Sequence, residues 1–136
     1  MNIENSKKVY RILVVDDDVD ILLMLTILLK EAGYEVEGTL NGIETLIRTG
    51  RFQPDLIIMD IFLAGTNGKD ICKTLKLSDA TKHIPVILIS SDNQPDAILE
   101  YGANEFIGKP FNIALLLAKI RKYLPHSNEA RMTMEI

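Results

Sequence analysis

The chain has 136 residues, 47% hydrophobic and 25% charged, a size and balance that suit one folded domain and exclude wholesale disorder. A net charge of -4, with no Lys/Arg cluster along the chain, leaves no electrostatic footprint for nucleic acid. Cys72 is the only cysteine, residues 1–8 lack the apolar core of a signal peptide, and the longest apolar stretch, 21–29, is interrupted by Thr26 and too short to span a bilayer. A cytoplasmic protein with no membrane partner is expected.

The predicted elements alternate in type. Ile12-Leu13-Val14-Val15 reads as a buried strand that ends at Asp16-Asp17. A Leu-rich helix follows from residue 18 or 19 to 32 and stops at Gly33. Tyr34-Glu35-Val36-Glu37-Gly38 alternates apolar and polar, the pattern of a strand near a sheet edge. A second helix is expected over 41–49, stopped by Gly50. Leu56-Ile57-Ile58-Met59 forms a strand ending at Asp60, and a third helix runs over about 67–77. Val86-Ile87-Leu88-Ile89 ends at Ser90, and a short fourth helix lies near 95–101, with Pro95 in its first turn. Glu105-Phe106-Ile107-Gly108 runs into Lys109-Pro110. Asn112 caps a fifth helix, 113–124, which Pro125 terminates.

Strands one, three and four are continuously apolar and belong in the middle of a parallel sheet. Right-handed crossovers between five β/α units then give a doubly wound, flavodoxin-like α/β fold with strand order 2-1-3-4-5. The domain is expected over residues 9–124, with 125–136 a short tail and no output domain.

In such a sheet, ligands bind beyond the carboxyl ends of the strands. Asp16, Asp17, Asp60, Ser90 and Lys109 all stand there. Two like charges about 4 Å apart repel by roughly 4 kcal/mol at an effective dielectric near 20. Three carboxylates therefore call for a cation, and an all-oxygen donor set favours Mg²⁺ (or Mn²⁺) over zinc. A carboxylate beside Mg²⁺ can serve as a nucleophile toward phosphorus, with Lys109 as a second cation and Ser90 as a hydroxyl donor. No nucleotide-cradling Gly-rich motif is present, so the phosphoryl donor must come from outside. Each piece alone has a plainer reading: Asp16-Asp17-Asp18 as helix caps, Ser90 and Lys109-Pro110 as turn residues.

These residues, with Lys109-Pro110-Phe111, the segment Gly102-Ala103-Asn104-Glu105-Phe106 and Gly68 eight residues past Asp60, resemble the receiver domains of bacterial two-component response regulators. The resemblance implies that Asp60 is the phosphoacceptor, taking its phosphoryl group from a sensor histidine kinase or a histidine phosphotransfer protein. It implies that Asp17 and Asp60 bind Mg²⁺ directly, Asp16 through water, and the carbonyl of Phe62 completes the ligands. Lys109 and Ser90 would contact the phosphoryl group, Phe106 would swing as the switch, and the Lys109-Pro110 peptide would be cis.

Three positions depart from the family pattern. Ala64 stands where a proline is usual, so a more mobile loop is expected; Phe106 replaces a common Tyr; and Phe62 is bulky enough to shield an acyl phosphate from water. On the first helix, Ile21, Met24, Leu25 and Leu28 read as the core face, leaving Leu22, Leu23 and Ile27 as a docking surface for the phosphodonor. The downstream protein target is unknown, and a monomer or phosphorylation-linked dimer is expected. Two other functions compete: a phosphorylation-independent interaction module, and a Mg-dependent phosphohydrolase that uses Asp16 as nucleophile and Asp18 as acid. Cys72 reads as packing and His83 as solvated.

Overall fold

The computed structural model describes residues 8–91 and 100–125. Five strands, β1 (Arg11–Val15), β2 (Glu35–Thr39), β3 (Leu56–Asp60), β6 (Val86–Ser90) and β7 (Glu105–Gly108), form one parallel sheet in the order β2-β1-β3-β6-β7. This is the expected doubly wound order, with β4 (Phe62–Leu63) and β5 (Thr66–Asn67) forming a separate antiparallel pair between β3 and the next helix. Four helices are described: α1 (Val19–Glu31), α2 (Thr45–Phe52), α3 (Gly68–Leu77) and α4 (Ile113–Tyr123). The helix expected near 95–101 lies almost wholly outside the described residues, as does the tail from 126.

Alternation along the strands splits the core between the two faces of the sheet. Ile12, Val14, Ile58, Ile87 and Ile107 pack on one side with Leu25 and Leu29 of α1 and Leu116 and Ile120 of α4. Leu13, Val15, Ile57, Met59 and Leu88 pack on the other with Ile71, Cys72 and Leu75 of α3. Every residue of β3 and β6 is buried, as a sheet covered on both faces requires. The edge strand β2 presents Glu35 and Glu37, which pair with Arg11 and Arg48 and discourage strand addition.

Helix ends follow the capping chemistry. Asp18 accepts from the backbone N–H groups of Asp20 and Ile21, and Asn112 accepts from Leu115 N. Helix α2 departs from expectation at both ends. Tight turns over 41–45, with Asn41 Oδ1 accepting from Ile43 N, delay its start to Thr45. It then runs through Gly50, so that Phe52 reaches the core, and stops where Gln53 turns left-handed (φ 52°) ahead of Pro54. The core face of α1 is also rotated from the expected one. Leu25 and Leu29 are buried, Leu22 packs over Gly38, and Met24 is exposed. Gly38 makes this possible, since a Cβ there would lie 2.8 Å from Leu22 Cδ1. Cys72 is fully buried, and burial pushes its thiol up to about 11.

At the far edge, Glu105 of β7 clamps α4 to the sheet. Its carboxylate, 11% exposed, accepts from Lys119 and Lys122 at 2.9 Å and from the Tyr123 hydroxyl at 2.6 Å. Burial alone would raise its pKa, but the three donors outweigh that and hold it at about 2, while burial and the same carboxylate push Tyr123 to about 12. A carboxylate depressed on folding contributes stability above its unfolded value and loses it as pH falls toward the folded one. Glu105→Gln is therefore expected to cost about 1.5 kcal/mol at pH 7. Denaturant titrations should show this gap closing as pH falls from about 4.5 toward 2.

Candidate functional site

Sheet register brings the site together. Val15 of β1 lies beside Met59 of β3, so Asp16 emerges beside Asp60, the last residue of that strand. Asp60 lies opposite Ile89, and Ser90 opposite Gly108, so Ser90 and Lys109 follow on the same edge. Backbone bonds lock these ends: Asp16 N to Thr39 O at 3.2 Å, Ile61 N to Ile89 O at 2.9 Å, and Lys109 N to Ser90 O at 2.8 Å. The Lys109-Pro110 peptide is cis.

The Lys109 ammonium donates to Asp60 Oδ2 at 2.8 Å and to Asp16 Oδ2 at 3.2 Å. Asp16 and Asp60 are buried, whereas Asp17 is exposed at the mouth. Burial raises the pKa of Asp16, and the Asp60 charge adds to the rise; the Asp18 N–H and Lys109 offset part of it. Burial alone would lower the pKa of Lys109, but its two carboxylate partners prevail and raise it. Among the described residues, one cation thus bridges two acids of a cluster of three. Carboxylate oxygens of Asp16, Asp17 and Asp60 lie within 4.8 Å of one another, a hard-oxygen set that fits a divalent cation of the Mg²⁺ type.

The triple acid divides its labour. Asp18 is the cap of α1, so the plainer reading holds for it, while Asp16 and Asp17 face the pocket. Asp16 Oδ1 accepts from Asp18 N at 2.9 Å, which orients it. Asp17 Oδ2 accepts from Ala64 N at 3.1 Å, a donor that a proline at 64 would lack. The loop expected to be more mobile is therefore tied to the pocket through that amide. The β4–β5 hairpin that carries it was not foreseen in the sequence, although Gly65 at its tip (φ +74°) is the usual signal of such a turn. At Gly68 a Cβ would run into the backbone oxygen of Asp60, so the chain returning from the hairpin needs glycine there.

The other expected residues are placed as follows. Ser90 is fully buried at the end of β6. Phe106 lies opposite Leu88 and is half-buried against the α3-side core. The Phe62 side chain is exposed, and its N–H donates to Asp60 Oδ1. Leu23 and Ile27 stand exposed on α1, and Leu22 is half-buried beside them. His83 is exposed in its loop, away from the pocket. No helix among the described residues is long and apolar enough to cross a membrane.

Residues 12–121 match the family described as the response regulator receiver domain. The DNA-binding response regulator MtrA of Mycobacterium tuberculosis is 34% identical over 122 residues, covering 88% of this chain and 52% of that protein. The response regulator PleD of Caulobacter vibrioides is 39% identical over 114 residues, covering 82% of this chain and 25% of that one. The chain thus spans about half or less of the length of these relatives. Among solved structures, the Vibrio cholerae chemotaxis protein CheY4 superposes with a TM-score of 0.80 at 28% identity, covering 85% of this chain and 99% of that one. The pocket at the carboxyl edge, the strand order and these matches place the chain in the receiver domain family of two-component response regulators, a family of phosphoacceptor signalling domains.

Proposed function

We propose that the chain is a cytoplasmic signalling switch in which Asp60 accepts a phosphoryl group from the histidine of a sensor kinase or a histidine phosphotransfer protein. The observation that carries this reading is the Lys109 ammonium bridging Asp16 and Asp60 within a cluster of three carboxylates. An oxygen of Asp60 attacks phosphorus; the P–N bond to the donor imidazole breaks, and its electron pair leaves with the nitrogen. Lys109, already 2.8 Å from Asp60, follows the charge onto the phosphoryl oxygens. Asp16, Asp17, Asp60 and the Phe62 carbonyl would hold Mg²⁺, which when bound supplies charge neutralisation for the transferring group. Ser90 donates its hydroxyl to the new acceptor oxygens, and Phe106, on the adjacent strand, carries the change into the core on the α3 side of the sheet. Leu22, Leu23 and Ile27 offer the donor an apolar surface beside the pocket.

In this reading the chain catalyses only its own phosphorylation and dephosphorylation. Incubation with acetyl phosphate and Mg²⁺ should add one phosphoryl group by intact mass, and chelation should abolish the gain. No gain in folded protein would favour an interaction module, and steady turnover of a generic phosphomonoester would favour a hydrolase.

The surplus of acid has a cost in stability. A group whose pKa rises on folding favours the folded state below its unfolded value and opposes it as pH climbs through the folded one. Ionised Asp16 therefore strains the metal-free fold at neutral pH. Asp16→Asn should raise the urea midpoint at pH 7 in chelator, with the advantage vanishing near pH 3.

A further inference from the structure

Helix α1 buries Leu25 and Leu29 and turns its opposite face to solvent. That face carries Asp20, Leu23, Ile27 and Lys30, a three-four-three spacing that sets four side chains in one line along a helix. All four are exposed, Leu23 by 57% and Ile27 by 49%. Among the described residues, neither the Asp20 carboxylate nor the Lys30 amine has an ion-pair partner. The line therefore has an acid at one end, a base at the other and two branched aliphatic residues between them.

Such a line is complementary to itself. Reversed end for end about the level of Leu25, Asp20 meets Lys30 of the second copy, Leu23 meets Ile27, and both contacts recur across the twofold axis. We propose that α1 pairs antiparallel with α1 of a second copy of this chain, forming an isologous dimer that needs no phosphorylation. The charge order selects this occupant, because the same residues supply both halves of each ion pair. A groove of about 320 Å³ beside the line, walled by Val19, Leu22, Leu23 and Leu40, gives the flank of the second helix a seat. At 13 residues α1 is about 20 Å long, and its outer face falls short of the roughly 800 Å² per partner of a standard interface. The dimer is therefore weak and concentration-dependent. It rests on this stripe and the groove beside it, not on the chemistry of Asp60, and it competes with the phosphodonor for Leu22, Leu23 and Ile27.

Sedimentation velocity on the intact chain, from micromolar to millimolar concentration without phosphodonor, tests it. The wild type should move from monomer toward dimer. Asp20→Lys and Lys30→Asp should each weaken association at least tenfold, since either places like charges at both ends of the seam. The double reversal should restore it, because the pairs re-form with signs exchanged. A wild type that stays monomeric overturns the proposal. So does a dimer indifferent to the single reversals, or a double variant no better than either single one. All the substituted positions are exposed, and far-ultraviolet dichroism identifies any variant that fails to fold.

Discussion

The structure turns on one ammonium group held between two buried carboxylates. Lys109 reaches Asp60 and Asp16 from a third strand, and without it two acids would share a buried edge unpaired. The sheet is built to make that meeting possible. Two apolar layers bury β3 and β6 completely, so no strand can slip by a residue without turning its aliphatic side chains the wrong way. Register at the centre of the sheet is thereby converted into position at its rim.

The same rim shows how a fold holds a costly site. Lys109 neutralises part of the acidic charge and leaves a surplus, which the fold tolerates because the aliphatic core beneath it is extensive. The β4–β5 hairpin adds a further restraint by giving Asp17 a backbone donor from Ala64. Where the family commonly has proline, this chain has an N–H, and that N–H points at a pocket acid. The Glu105 clamp at the other end of β7 keeps α4 in register with the strand that leads to Lys109.

What was legible in the sequence was whatever depended on strand boundaries. Continuous apolar runs announced the central strands, and the polar residue closing each run fell at the carboxyl edge. Helix α4 was legible too, because Asn112 and Pro125 bracket it. Less legible was anything set by a neighbour distant in sequence. The face of α1 is decided by Gly38 on β2, which lets Leu22 settle inward and leaves Met24 outside. The span of α2 is decided by Phe52 finding the core and by the Asn41 turn, not by Gly50. The hairpin was hidden because its strands are two residues each, too short for any alternation to register.

The central claim is that the pocket's charges converge on Asp60 as the nucleophile. Residue-level mapping tests it most directly: treat the phosphorylated chain with borohydride, which reduces an aspartyl phosphate to homoserine, and sequence the peptides by mass spectrometry. The account predicts homoserine at position 60 alone. Homoserine at 16 or 17, with position 60 unchanged, would contradict it.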